Sequence, residues 1–214
     1  MKPTSSYISM TAASGQSDEF ADFLTNAAPI VSVTEPGTEL WFALQAPGGQ
    51  LAIFDIFSDA SARQAHFDGA VAAALKDNAA TLVDGGWDAG VLANVRNGDV
   101  LSTKAPVDVA TATTATYIAI TAAVGREDAL ADLLTAAGDI VSETEPQTLY
   151  WAGLRINERE FAIFDIFADE AGRQAHFAGK VAGILKDQAD ELVEGGWDAG
   201  VVAKVMNYDI LAAK

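Results

Sequence analysis

Two histidines, His66 and His176, are the residues of this chain best suited to acid–base chemistry. Each lies in the same sequence, Arg-Gln-Ala-His-Phe, and follows an aspartate, Asp55 or Asp165, by eleven residues. Because an imidazole exchanges protons near neutral pH, each histidine is a candidate catalytic base or hydrogen-bonding partner for a bound phenol or carbonyl. The alternative is a helix residue that only bonds a neighbouring loop.

Asp55 and Asp165 interrupt otherwise apolar strands and are the second pair of candidate catalytic residues. Strand alternation places Asp55 on the same sheet face as Ile53 and Phe57. A carboxylate in such surroundings must be paired or hydrogen-bonded, because an unpaired buried charge is costly. The histidine and Arg63 are the candidate partners. Structural use is favoured, and a raised pKa with a role in proton transfer is the alternative.

Aromatic side chains form the third group of candidates, as walls for a flat apolar ligand. Core packing is the competing interpretation of the same residues. The candidate substrate-binding residues are Tyr7, Trp41, Phe57, Tyr117, Trp151 and Phe167. Trp87 and Trp197 follow double glycines, which predicts movable lids over a pocket.

Composition excludes several classes of function. The 214 residues carry a formal charge of −17 and no cysteine, which argues against nucleic-acid or membrane partners and excludes thiol chemistry and disulfides. Two distant histidines give no zinc spacing, and no cofactor is expected, although one histidine could ligate a haem iron. Without a long apolar run, the expected location is cytoplasmic.

The chain contains two tandem copies of one sequence unit. At an offset of 110 residues, positions 4–104 and 114–214 share 56 identities in 101 pairs without a gap. A period of this length is that of a small domain. We therefore predict two domains, residues 1–104 and 117–214, joined by a linker at residues 105–116, with the two repeats forming a pseudo-dimer within one chain. Further oligomerisation stays open.

Each repeat shows the pattern of a βαββαβ unit. In the first repeat, period-two and period-three-to-four apolar patterns predict strands at 7–13, 39–46, 51–57 and 90–101 and helices at 17–35 and 59–82. This order predicts an α+β fold made of two ferredoxin-like repeats, each an antiparallel sheet with helices on one face. Packing the two bare sheet faces together would give an α+β barrel.

The segments 54–69 and 164–179, with Glu35-Pro36-Gly37-Thr38 and Trp41 ahead of the first, resemble the antibiotic biosynthesis monooxygenase domain of the dimeric α+β barrel superfamily. The resemblance covers each repeat. It implies a ferredoxin-like protomer, here fused with its partner, and cofactor-independent oxidation of quinol-like or polycyclic aromatic substrates. A related branch degrades haem. Where these branches carry a tryptophan nine residues before the histidine, this chain has Phe57 and Phe167.

The resemblance implies a cofactor-independent monooxygenase for a small hydrophobic aromatic, in which His66 or His176 assists deprotonation and the resulting anion reduces O₂. A non-catalytic binding or stress-response protein that holds an apolar metabolite is the competing hypothesis, and haem binding is a third. One repeat could also be functional and the other structural, with a larger cavity in the second, where Gly172 and Gly183 replace alanines.

Overall fold

A computed structural model describes residues 2–214 and gives both repeats the same order of elements. The first repeat consists of β1 (Thr4–Thr11), α1 (Ser17–Thr34), β2 (Thr38–Gln45), β3 (Gln50–Phe57), α2 (Ala60–Phe67), α3 (Ala70–Leu82) and β4 (Val95–Lys104). The second consists of β5 (Thr114–Thr121), α4 (Glu127–Thr144), β6 (Thr148–Arg155), β7 (Glu160–Phe167), α5 (Glu170–Phe177), α6 (Lys180–Leu192) and β8 (Val205–Ala213). The predicted α+β class is confirmed.

The helix predicted at residues 59–82 is instead two helices, α2 and α3. Its start is as expected, since the Asp59 carboxylate accepts a hydrogen bond from the Ala62 N–H at 2.9 Å and caps α2. The helix breaks at Asp68 and Gly69, where Gly69 is extended, with ψ of 173°. The equivalent break at Gly179 separates α5 from α6. Apolar periodicity continues across the break, which is why the sequence pattern missed it.

The last strand of each repeat begins later than predicted. Residues Gly86–Val91 form a π-helical turn, and β4 begins only at Val95. Gly85 starts the turn with φ of 79°, a left-handed conformation that favours glycine. A Cβ on Gly90 would lie 2.2 Å from the Asp84 carbonyl oxygen, so the turn also needs glycine there. The first strand is also longer at its start than predicted, since β1 begins at Thr4.

The described residues form two compact units, residues 2–97 with 208–214, and residues 98–207. In unit one, β3 lies between β1 and β2, and β2 pairs with the end of β8 through Phe42 and Ala213. In unit two, β7 lies between β5 and β6, and β6 pairs with the end of β4 through Trp151 and Lys104. Each unit therefore contains the end of the last strand of the other repeat.

Within unit one the hydrogen-bonded strand order is β1-β3-β2-β8, and within unit two it is β5-β7-β6-β4. The segment predicted to be a linker contains a 3₁₀ turn at Val109–Thr111 and the first residues of β5. Among residues 2–214, no helix has both the length and the apolar character needed to cross a membrane.

Candidate functional site

His176 lies on α5 between two buried carboxylates. Its Nδ1 is 2.5 Å from Glu145 Oε2, and its Nε2 is 3.3 Å from Asp165 Oδ2. The exposed fractions of Asp165, His176 and Glu145 are 0%, 5% and 7%. Apart from this ion pair, no donor among residues 2–214 reaches either Asp165 oxygen. The three side chains therefore form one buried charged cluster, which we call the Glu–His–Asp triad.

Each member of the triad comes from a different element. Asp165 lies on β7 on the same sheet face as Ile163, which packs against the helices, and Glu145 directly follows the end of α4. Thr148 donates to Glu145 Oε2 at 3.1 Å and fixes its carboxylate. The carboxylate lies against the break before α6, where a Cβ on Gly179 would be 2.6 Å from Glu145 Oε1. A negative charge beside the N-terminus of α6 is electrostatically favourable.

The triad holds a proton on His176 through the neutral pH range. Burial alone lowers the pKa of His176, but Asp165 and Glu145 outweigh it and raise that pKa from 6.5 to about 10. Burial also raises the pKa of Asp165, against the attraction of the imidazolium. His176 is therefore a cation and hydrogen-bond donor. The group that can accept a proton is the Asp165 carboxylate.

The first repeat builds the equivalent triad with a looser aspartate contact. His66 Nδ1 is 2.5 Å from Glu35 Oε2, whereas His66 Nε2 is 4.0 Å from Asp55 Oδ1. Burial raises the pKa of Asp55 from 3.8 to about 7, although His66 lowers it. An aspartate that titrates near neutral pH is suited to proton exchange with a ligand.

An apolar pocket of about 270 Å³ in unit two adjoins His176. Its lining residues come from the sheet, from α5 and α6 and from the π-helical turn that follows: Ile118, Trp151, Ile163, His176, Phe177, Val181, Ala182, Leu185, Trp197, Val201, Val202 and Val205. Phe177 and Val202 are more than one-third exposed, so the pocket has an apolar mouth. Since an engineered cavity of about 150 Å³ takes up benzene, this space fits a molecule of roughly one to two rings.

The lining of this pocket is nearly identical in the two repeats. Of its twelve positions, eleven carry the same residue 110 positions earlier, and Val202 corresponds to Leu92. A second apolar groove, between α4 and α6, has nine lining residues, of which four are matched in the first repeat. The pocket beside the histidine is therefore more similar between the two repeats than the groove is. This indicates that both repeats need the same pocket lining.

The structure brings most of the sequence-predicted site residues together. Trp151 lines the pocket, its buried indole N–H has no acceptor among residues 2–214, and Trp41 is its equivalent in unit one. The Phe167 ring centroid is 5.5 Å from that of His176, and the Phe57 ring centroid is 5.3 Å from that of His66.

Tyr7 and Tyr117 do not join this group. Tyr7 pairs with Phe54 and Tyr117 with Phe164, so both lie on the sheet face opposite the aspartates. The Tyr7 hydroxyl is 2.5 Å from that of Tyr208. The expected widening of the second cavity by Gly183 is also absent, because this position is exposed and a Cβ there would meet open space.

Glu35 and Glu145 are site residues that the sequence pattern did not predict. The sequence feature that could have identified them is an acidic residue at the end of the first helix in both repeats. The helix dipole disfavours a negative charge at that position. Lys104 and Lys214, the matching lysines at the ends of the repeats, were missed as well. A residue kept in both copies against its local preference indicates a tertiary partner.

The raised pKa of His176 predicts a loss of stability at alkaline pH. Between pH 6.5 and about 10 the folded state keeps a proton that the unfolded state releases, so the free energy of unfolding falls as pH rises. The slope from this group is at most about 1.4 kcal/mol per pH unit. NMR titration of the imidazole protons, assigned with a His66→Gln variant, checks the cause. A His176 signal that titrates near pH 6.5 would contradict the prediction.

Comparison with known proteins gives similarities of fold. No protein-family model and no curated protein matches the chain. A candidate monooxygenase of Fusobacterium nucleatum has a TM-score of 0.80 and 16% identity, over 100% of this chain and 94% of that one. LmHde, a haem-degrading enzyme of Listeria monocytogenes, has a TM-score of 0.56 and 8% identity, over 96% of this chain and 98% of that one.

A third similar structure is an uncharacterised ferredoxin-fold protein of Listeria monocytogenes, related to antibiotic biosynthesis monooxygenases. Its TM-score is 0.54 at 8% identity, and the match covers 98% of this chain and 94% of that one. At these identities the likeness concerns the fold and leaves the reaction open. The chain therefore has the ferredoxin-type fold of the monooxygenase-like proteins, including relatives of the antibiotic biosynthesis monooxygenases, in agreement with the resemblance of its motifs.

Proposed function

We propose that the chain is a cofactor-independent monooxygenase for a small aromatic substrate of one to two rings with an acidic O–H or ring C–H. The observation that carries this proposal is the Asp165–His176 pair beside an apolar pocket of about 270 Å³. A pocket with such walls selects apolar rings, and its charged end selects a polar group on the ring. The similarity to monooxygenase-like proteins supports the same class.

The roles that we propose for the triad residues differ from those expected from the sequence. His176 carries a proton at neutral pH and both of its N–H groups face carboxylates, so it stabilises the anion that forms on the substrate oxygen through its positive charge. Asp165 accepts the proton, because burial makes its carboxylate a stronger base than an exposed one. Glu145 keeps the imidazolium charged and oriented.

The anion of an electron-rich ring can transfer an electron to O₂ directly. For a ring methylene the balanced reaction is R₂CH₂ + O₂ → R₂C=O + H₂O, in which the substrate supplies all the electrons. One oxygen atom enters the product and the other leaves as water. The protein then has to bind and deprotonate the ring, hold the anion in an apolar space, and stabilise negative charge on oxygen. Trp151 and Phe177 supply apolar walls, and His176 supplies the positive charge.

Oxygen uptake with a panel of quinols, naphthols and anthrones tests the proposal. Because both repeats contain a triad, the informative variant is Asp55→Asn/Asp165→Asn. We expect wild-type turnover of at least one ring class and a loss of about 10²–10⁴-fold in the double variant. Lys186→Met, at an exposed position in the same unit, is the matched control and should keep full activity. Wild-type turnover in the double variant would overturn the assigned roles.

A non-catalytic protein that holds an apolar metabolite is the second candidate, favoured by the same pocket. Native mass spectrometry of freshly purified protein, together with titration of the same ring compounds, distinguishes the two. Binding without oxygen uptake across the whole panel supports this alternative.

Haem does not fit the triad. Both nitrogens of His176 face carboxylates, so neither is available to an iron atom while the triad is intact. A porphyrin contains four pyrrole rings and exceeds a space that fits one to two rings. The similarity to a haem-degrading enzyme therefore extends to the fold, and no step of the proposed reaction involves haem.

A further inference from the structure

Lys104 and Lys214 occupy equivalent positions at the ends of the two exchanged strand segments. Lys104 is the last residue of β4 and belongs to unit two, whereas Lys214 follows β8 and belongs to unit one. Each lysine therefore lies in the unit that contains the triad of the other repeat. Repetition of a lysine at this position through the duplication indicates a shared role.

Both lysines contact the backbone of the triad glutamate. Lys104 is 7% exposed, and its Nζ donates a hydrogen bond to the Glu145 carbonyl oxygen at 2.6 Å. Lys214 Nζ donates to the Glu35 carbonyl oxygen, also at 2.6 Å. The same geometry thus occurs twice, once in each unit.

A cation at this point stabilises the end of the preceding helix. The last carbonyl groups of an α-helix have no partner within the helix and carry a partial negative charge. Neither α1 nor α4 has a basic residue in its last turn, so the exchanged strand supplies the cation. The Glu145 carbonyl oxygen also accepts from the Thr148 N–H at 3.2 Å. Together these bonds fix the backbone from which the Glu145 side chain reaches His176.

The exchanged segment also pairs with the strand that carries the tryptophan of the site. Lys104 lies opposite Trp151 in the β4–β6 ladder, and Lys214 exchanges two backbone hydrogen bonds with Trp41, at 2.9 and 3.4 Å. One residue therefore supports two parts of the site, the glutamate that orients the histidine and the tryptophan beside it.

We infer that each site is completed by the other repeat: Lys104 of the first repeat positions Glu145 and His176 of the second, and Lys214 of the second positions Glu35 and His66 of the first. The lysines are positioning residues, since they contact the triad glutamate and not a substrate. The assignment concerns the site whatever it binds and does not depend on oxidation. A separated repeat would lack the lysine of its own site.

The two histidines make this inference directly measurable, because each reports one site. We would record the carbon-bound imidazole proton signals of wild type, Lys104→Met and Lys214→Met at one fixed pH. Charged groups around His176 are Asp165 on β7, Glu145 after α4, Arg173 on α5, Lys180 on α6 and Lys104 on β4. The corresponding groups near His66 include Asp55, Glu35 and Lys214.

The expected result is a crossed pattern. Lys104→Met shifts the His176 signals and leaves those of His66 in place, and Lys214→Met does the reverse. Lys104→Arg, which keeps a cationic donor, restores the His176 signals toward their wild-type positions. Lys186→Met removes the same charge from an exposed position of unit two and moves neither set.

Equal shifts of both histidines, or no shift in a variant that keeps its circular dichroism spectrum, would overturn the inference. If Lys104→Met fails to fold, Lys104→Gln, which retains an N–H donor without the charge, carries the same expectation, and Lys214→Met tests the other unit independently. The readout needs no substrate. A crossed NMR pattern without oxygen uptake would therefore reject the proposed reaction and keep the positioning role.

Discussion

Replacement of His176 with leucine is expected to lower the free energy of unfolding by about 3–5 kcal/mol at neutral pH, the range for removing one partner from a buried ion pair. The substitution leaves Asp165 and Glu145 buried without their cation. Chemical denaturation monitored by circular dichroism measures the change. The loss should shrink at acidic pH, because burial raises the pKa of Asp165 and its protonation removes uncompensated charge.

Two companion variants separate charge from packing. His176→Leu/Asp165→Asn removes one of the two buried carboxylates that have lost their cation, and it should recover part of the lost stability. Gln174→Leu, on the exposed side of the same helix, should change stability by no more than about 0.5 kcal/mol. A His176→Leu protein as stable as wild type would show that the carboxyl groups are neutral in the folded state and that the triad is not an ion cluster.

Gly179→Ala is expected to destabilise the protein by about 1–3 kcal/mol, because the new methyl group overpacks the site. Its Cβ would lie 2.6 Å from Glu145 Oε1 and 2.8 Å from the His176 carbonyl oxygen. Gly179 has φ of −78°, which any residue adopts, so backbone strain does not contribute. The displaced carboxylate should also shift the His176 imidazole signals in NMR spectra.

Gly183→Ala is the matched control four residues later and should have the opposite sign. The position is exposed in α6 and a Cβ there meets nothing within 4 Å, so alanine should raise stability by about 0.5–1 kcal/mol through its higher helix propensity. His176 signals should stay unchanged. Equal effects of the two substitutions would contradict the view that Gly179 exists to make room for Glu145.

The sequence predicted the parts of the site that local periodicity specifies. Strand alternation placed Asp55 on the same sheet face as Ile53, and in the structure Ile53 packs against the helices. The cost of burying a lone carboxylate left the histidine and an arginine as candidate partners of the aspartate, and in the structure Asp165 pairs with His176. These inferences succeed because side-chain direction in a strand or helix depends on neighbours close in sequence.

The contact of Glu145 with His176 could not be predicted from neighbours close in sequence. The glutamate lies 31 residues before His176, at the end of another helix, and its contact depends on the break at Gly179. Asp165 raises the pKa of His176 most and Glu145 adds to that effect, so the histidine is a cation and the proton acceptor becomes Asp165. Long-range electrostatics thus changed the proposed roles while the named residues stayed the same.

The amino-acid sequence by itself determined that the chain is a duplicated α+β fold with a histidine and an aspartate repeated in each copy. Only the tertiary structure decided which copy of the last strand pairs with which sheet. The two copies have the same apolar alternation and nearly the same residues, so β2 could accept β4 or β8 with similar local energy. The path of the chain selects the exchanged partner, and with it the lysine that each site receives.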